Sequence, residues 1–341
     1  MTTGLAGITV AVVNYNGAAL LGPTLDSVLA QTGVALRAVL VVDNHSSDES
    51  LALLQARYAG RVRVIALPDN RGPNPARNLA LRTAETELVL IMDNDLVLAP
   101  DYAQRLAAVF AAQPGAGAVT GQIRLHAEPG TMQYCGAFLH YAAEVVVYRP
   151  ADASPAQVGT VSAGATLYDR AAALDADGFD EDLFFGWEDG DLPFRMAALG
   201  HPCYAAPAAL AYHMARPRGR RWVALQTRNR WWFVVRHYGA RTLWLALPAL
   251  LFYQACAGFF FLFKGQGGDF ARGTWQALGG LPRALRKRRA FVPRKRVSDR
   301  RLLCGGRPDL PPGVRSGPPA RLASAAGAVL AGYWRLIRWA L

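Results

Sequence analysis

Two nucleotide-binding signatures are missing from this chain of 341 residues. No Gly-x-Gly-x-x-Gly follows the first apolar run, which disfavours a dinucleotide-binding fold, and no Walker-type Gly-Lys-Ser/Thr occurs. Cysteine is scarce. Cys135, Cys203, Cys256 and Cys304 are far apart and show no metal-type pairing, which argues against a disulfide framework and for a reducing compartment. Met1 to Gly7 has no basic n-region, and the run Ile8 to Val13 is too short for a signal h-region, so no export is expected. Acids are almost absent from one end. Residues 281–341 hold 15 Lys/Arg against 2 Asp/Glu, whereas residues 1–280 hold 22 against 23, so the formal charge of +12 belongs to the tail. An anionic membrane face or a nucleic acid would suit such a tail.

The first hundred residues alternate apolar runs with helical patterns. Ile8–Val13, Ala38–Val42, Val62–Leu67 and Leu88–Met92 read as strands. Leu20–Gln31, Asp48–Tyr58 and Pro73–Ala84 read as helices, with Ser46 or Ser47 available as a cap. That alternation predicts an α/β fold with a parallel sheet and right-handed crossovers. After Pro100 the pattern loosens. Short strands are expected near Gly117–Leu125 and Glu144–Tyr148, and helices near Arg170–Ala173 and Leu192–Leu199.

Several strands stop on polar residues: Asn14, Asp43, Asp69 and Asp93. Open α/β sheets bind ligands beyond the carboxyl ends of their strands. Asp93-Asn94-Asp95 sets two carboxylates there, and Mg²⁺ takes carboxylates together with substrate phosphate oxygens. Asp43, in Val-Asp-Asn-His-Ser-Ser-Asp-Glu-Ser, can accept from the imide N–H of a uracil or thymine, or can simply stabilise a turn. In Asp69-Asn70-Arg71-Gly72-Pro73-Asn74-Pro75-Ala76-Arg77-Asn78, Arg71 or Arg77 could face a diphosphate. Gly178-Phe-Asp-Glu-Asp-Leu-Phe-Phe-Gly-Trp-Glu-Asp-Gly-Asp191 sets a Trp among carboxylates, a composition suited to a general base or to an acid-rich helix start.

Together, in this order, the four segments resemble the inverting family-2 glycosyltransferases of the GT-A fold, over roughly residues 5 to 240. The resemblance implies that Asp43 reads the nucleotide base, with Asn14 and Tyr15 beside it. It implies that Arg77 and Asp93 lie at the diphosphate, and that Asp93, Asp95 and His213 bind a divalent cation, Mg²⁺ or Mn²⁺. Asp189 would be the catalytic base and Glu188 the second choice. Trp187, Asp191 and Gly164 would meet the acceptor and donor sugars.

Beyond residue 240 the chain changes character, and two domains are expected: 1–240 as the GT-A domain and 241–341 as a membrane-associated helical and basic region. Leu243–Phe263 is apolar and long enough to span a bilayer or to lie in its surface. Arg283–Arg301 is strongly basic, Pro308–Pro319 reads as a linker, and Leu322–Leu341 as an interfacial helix. This tail looks like that of the rhamnosyl- and galactofuranosyltransferase-like subgroup, which extends bacterial surface polysaccharides. The expected partners are a UDP- or dTDP-sugar donor, a lipid-linked saccharide acceptor and the anionic cytoplasmic face of the inner membrane, and no nucleic acid. A nucleotidyltransferase and a non-catalytic membrane-tethered or nucleic-acid-binding protein are the alternatives.

Overall fold

The computed structural model describes residues 7–214, 222–309 and 317–341. Most of the Pro308–Pro319 segment lies outside the described residues. The chain divides into two compact units. The first takes Met1–Gly136, Tyr148–Phe184 and Glu188–Pro217, and the second takes Ala137–Val147, Phe185–Trp187 and Arg218–Leu341.

Four parallel strands carry the first unit. β1 (Ile8–Asn14), β2 (Leu36–Asp43), β3 (Arg63–Ala66) and β4 (Leu88–Asp93) lie in the order β4-β1-β2-β3. All seven residues of β1 are buried. A parallel strand covered on both faces needs a continuous apolar run, which is why Ile-Thr-Val-Ala-Val-Val shows little alternation. The crossovers are α1 (Ala18–Leu29), α2 (Ser50–Tyr58) and α3 (Pro73–Thr83). Pro73 opens α3, where a missing N–H removes no helical hydrogen bond.

Beyond β4 the sheet becomes mixed. β5 (Leu96–Leu98), α4 (Tyr102–Ala112), β6 (Ala118–Leu125) and β7 (Met132–Tyr134) come first. β8 (Ala137–His140) and β9 (Glu144–Val147) belong to the second unit, and β10 (Ala156–Val158), β11 (Ala165–Asp169), α5 (Arg170–Asp175), α6 (Asp191–Ala198) and β12 (Cys203–His213) return to the first. β11 runs antiparallel between β4 and β6, and β12 runs parallel to β6. β5 pairs with the end of β12, so that His213 lies opposite Leu96. Val10, Val12, Val41, Leu90 and Met92 from the sheet meet Leu21, Leu25, Tyr102 and Leu106 from α1 and α4 in the core.

The second unit is mostly helical. α7 (Trp222–His237), α8 (Ala240–Phe263), α9 (Gly267–Gly279), α10 (Leu281–Phe291), α11 (Asp299–Leu302) and α12 (Gly317–Ile337) accompany a small sheet of β8, β9 and β13 (Leu303–Cys304). Arg230 donates to the carbonyls of Ala142 and Ala143, and Tyr141 Oη donates to the carbonyl of Leu330 at 2.8 Å. The division therefore departs from the expected boundary at 240. α7 and the 137–147 hairpin fold with the C-terminal helices because their polar groups are satisfied there.

Candidate active site

The register of the parallel strands brings the expected polar ends together. Asn14 pairs with Asp43 across β1 and β2, and Val13 with Asp93 across β1 and β4. The first pair closes in on itself. Asp43 accepts from Asn14 Nδ2 at 2.7 Å, from Ser46 Oγ at 2.7 Å and from the Ser46 backbone N–H at 2.8 Å. Asn94 Nδ2 then donates to Asn14 Oδ1 at 2.6 Å, which links β1 to the Asp93-Asn94-Asp95 turn. Asn14 and Asp43 are both completely buried. They fasten the loops after β1, β2 and β4, and Tyr15, 48% exposed, is the residue of this trio with an open face.

The face of α3 organises the acidic segment. Asn74 Nδ2 donates to the carbonyls of Asp180, Leu183 and Glu188. Asn78 donates to the Phe179 carbonyl and the Glu181 carboxylate, and accepts from the Phe179 N–H at 2.7 Å. Gly178 makes this approach feasible: its φ is +63°, and a Cβ there would sit 2.5 Å from Asn78 Oδ1. One turn of helix thus holds some ten residues of irregular chain by their backbone groups, so Glu188 and Asp189 are delivered by position.

Arg77 stands at the centre. It is buried, pairs with Asp93 Oδ1 at 3.0 Å and donates to Asn74 Oδ1 at 3.1 Å, while its Nε, also buried, has no protein acceptor. Asp93, Glu188 and Asp189 all reinforce its positive charge. Burial raises the Asp93 carboxyl, Arg77 opposes that shift, and Asp95 and Asp189 add to it. Burial pushes Glu188 up to about 8, with the neighbouring Asp189 charge adding to the effect. Glu188 is therefore largely protonated at neutral pH. Asp189 is half-exposed, and its Oδ2 accepts from Ser162 Oγ at 2.7 Å. Of the two, Asp189 is the more exposed carboxylate.

Ser162 also lies beside Gly164, whose carbonyl accepts from the Asp93 N–H at 2.9 Å. A Cβ on Gly164 would come within 3.7 Å of Asp93 Oδ2 and of Ser162 Oγ. The small residue therefore faces the space between the two carboxylate groups. Of this segment only Gly164 is marked by the sequence; Ser162 carries no signal of its own, because its partner is 27 residues away.

For a divalent cation the donors are half assembled. Asp95 Oδ2 and His213 Nε2 are 3.3 Å apart, and Gln133 Oε1 fixes the other ring nitrogen at 2.8 Å, the kind of second contact that orients a ligating imidazole. Asp93 is turned to Arg77, and among the described residues no three His, Cys, Asp or Glu side chains stand close enough to hold an ion by themselves. The expected three-residue set is thus two residues plus a nearby carboxylate. Two protein ligands do fit a hard cation that completes its shell with diphosphate oxygens and water. The surplus of carboxylates over the single buried guanidinium also leaves negative charge for a cation to offset.

Two residues expected to meet sugars are buried against protein partners. Asp191 is completely buried and is bound by Arg195 at 2.8 Å, while Arg195 also donates to the carbonyls of Ala176 and Gly178. Its work is to brace α6 under the acidic segment. Trp187 is 8% exposed, and its ring lies 4.8 Å from that of Phe233, in the second unit. Gly186 and Trp187 both have positive φ, 80° and 69°.

Residues 9–173 match the family model for Glycosyl transferase family 2, a little under half of the chain. The chain carries a glycosyltransferase family 2 domain. The Succinoglycan biosynthesis protein ExoO of Rhizobium meliloti (strain 1021) is 39% identical over 99 residues, 29% of this chain and 28% of that protein. The Poly-beta-1,6-N-acetyl-D-glucosamine synthase of Staphylococcus aureus (strain COL) is 24% identical over 209 residues, 61% of this chain and 50% of that protein. The chain thus spans half or less of the length of these curated relatives. Among solved structures, GalNAc-T7 with UDP, GalNAc and Mn²⁺ superposes with a TM-score of 0.60 at 16% identity, covering 73% of this chain and 51% of that one. At that identity the likeness concerns the fold, and it agrees with the GT-A architecture of the transferase domain.

Proposed function

We propose that this chain is an inverting glycosyltransferase of the hexosyl or rhamnosyl type. It moves a sugar from a UDP- or dTDP-linked donor to a lipid-linked glycan acceptor in the synthesis of cell-surface polysaccharide, at the cytoplasmic face of the membrane. The observation that carries the reading is the arrangement at one sheet edge: Arg77 against Asp93, Asp95 against His213, and Asp189 held by Ser162, with Gly164 among them. The curated relatives are named for polysaccharide synthesis, and the GalNAc-T7 structure contains UDP and Mn²⁺.

The chemistry is a single in-line displacement. The acceptor hydroxyl oxygen forms the bond to the anomeric carbon as the bond from that carbon to the diphosphate oxygen breaks. Asp189 takes the hydroxyl proton on Oδ1 while Ser162 keeps Oδ2 in place. Arg77 offsets charge on the departing diphosphate from a buried position, where electrostatic interactions are stronger than in water. A cation held by Asp95 and His213, with Asp93 nearby, would supply further charge stabilisation. One base suffices for inversion, because the donor brings its own leaving group.

The test is donor hydrolysis and binding with a panel of UDP-, dTDP- and GDP-sugars, with and without Mn²⁺ or Mg²⁺, on full-length protein and on the Asp93→Ala/Asp95→Ala double variant. Metal-dependent selection of one donor, reduced by about 10³-fold or more in the variant, is expected. Folded protein that binds none of the donors would sink the proposal.

A further inference from the structure

The outer side of α8 is where the second unit departs most from a water-soluble domain. Trp244, Leu247, Leu251, Phe259, Leu262 and Phe263 are exposed, Trp244 at 77% and Phe263 at 75%. Steps of three, four and eight residues place them along one side of the helix. At 1.5 Å per residue the stripe is about 28 Å long. By length and composition alone α8 could cross a membrane.

One flank of the stripe, three residues on from Leu251, makes crossing costly. Gln254, in the middle of α8, accepts from Arg230 Nη1 at 3.3 Å and Trp231 Nε1 at 3.0 Å, and donates to Thr274 Oγ1 at 2.9 Å. Arg230 is itself paired with Glu144 at 3.6 Å and donates to the carbonyls of Ala142 and Ala143 between β8 and β9. A spanning α8 would carry this ion pair and the three-residue connection of β8 to β9 to the depth of the bilayer centre. Charges there are expensive, and non-helical backbone is tolerated only when shielded. α8 is thus apolar by composition but two-sided by packing.

The surroundings indicate what covers the outer side. Arg241 and Lys264 flank the stripe and are exposed, as are Arg272 on α9 and Arg283, Arg286 and Arg289 on α10. Trp275, 76% exposed, adds a second large aromatic of the kind enriched where water meets lipid. A second copy of the chain would bring this basic surplus against itself, whereas an anionic leaflet complements it. We propose that α8 lies in one leaflet of an anionic bilayer, parallel to the surface, with its Trp244–Phe263 stripe in the acyl region and the Arg230–Gln254 side in protein. The inference is independent of the transferase reading.

The test uses the full chain with sealed vesicles of phosphatidylcholine, with or without phosphatidylglycerol. Flotation with the anionic vesicles is expected. It should be lost in Leu251→Asp/Phe259→Asp and weakened about tenfold or more in Arg286→Glu/Arg289→Glu, whose charges lie off the stripe. A circular-dichroism melt confirms that each variant is folded. Topology is read separately in Arg241→Cys and Lys264→Cys with a membrane-impermeant maleimide, against the wild-type background. Both sites labelling from outside supports the in-plane helix. Protection of one site until detergent is added means a spanning helix and overturns the proposal. Equal flotation on neutral vesicles overturns its anionic part. Folded protein that fails to float, with a dimer in solution, makes a second copy the occupant and overturns the whole.

Discussion

The two units bury polar groups alike but differ in what they expose. In the first, most large apolar side chains lie inside, and the carboxylates Asp93, Asp95 and Asp189 collect at one edge of the sheet. In the second, Arg230 and Arg236 are buried among helices, while Trp244, Trp275 and Trp339 are exposed. Buried guanidinium groups are common to both units, Arg77 and Arg195 in the first and Arg230 and Arg236 in the second, so the exposed indoles are what set the second apart, as the proposed leaflet contact requires. A unit that gathers acids at strand ends is adapted to a charged, hydrated ligand. Hydrophobicity summed over the chain, with a mean hydropathy of +0.11, blends the two and reveals neither.

The sharpest break of this contrast is at Asp189. Asp189→Asn should lower turnover by about 10²–10⁴-fold with donor affinity nearly unchanged. Single-turnover kinetics beside a donor titration would separate those effects, and turnover within a few-fold of wild type would move the base elsewhere. Next comes Arg195→Ala, which takes the guanidinium from a completely buried Asp191. A loss of about 3–5 kcal/mol in unfolding free energy is expected, read from urea midpoints. Arg195 would then be shown to act on stability, where its neighbour Asp189 acts on chemistry.

Gln254→Ala probes the second unit. It removes the amide that Arg230 and Trp231 share, and should cost about 1–2 kcal/mol in thermal unfolding. A neutral result would mean that α8 is held by apolar contacts alone. The smallest effect is expected from Glu188→Gln. Its carboxyl, pushed up to about 8, holds a proton in the folded protein over a range in which the unfolded chain has released it. Wild-type stability should therefore decline as pH rises from about 4.5 through 8. Glu188→Gln should flatten that decline while leaving turnover near pH 6 within a few-fold. A large loss at pH 6 would show that the carboxyl, and not merely a neutral group of its shape, is needed.

Much of the first unit was readable because it is local. Ile8–Asn14, Leu36–Asp43 and Leu88–Asp93 are continuous apolar runs that end where their carboxyl-edge residues begin, so strand and site were signalled together. β12 was not signalled: its eleven residues are rich in Ala and include Pro207, a poor strand composition rescued by pairing with β6 and β5. The 137–147 hairpin was read with the sheet unit because sequence distance hid its partners. Trp187 and Asp191 looked like sugar contacts because a motif records proximity along the chain. Their burial, against Phe233 for Trp187 and Arg195 for Asp191, is set by partners further along the chain.

The hydrogen bond from Tyr141 to the Leu330 carbonyl joins residues 189 positions apart. During synthesis at roughly 5–20 residues per second, the 137–147 hairpin would wait about 10 to 40 s before the helix that receives it exists. Over that interval β8 and β9 are strands with an open edge, the kind of surface that pairs with the wrong chain. The second unit should accordingly be the slower to mature and the more dependent on chaperones, and shortening α12 would be felt first as aggregation, well before any change at the carboxylate edge.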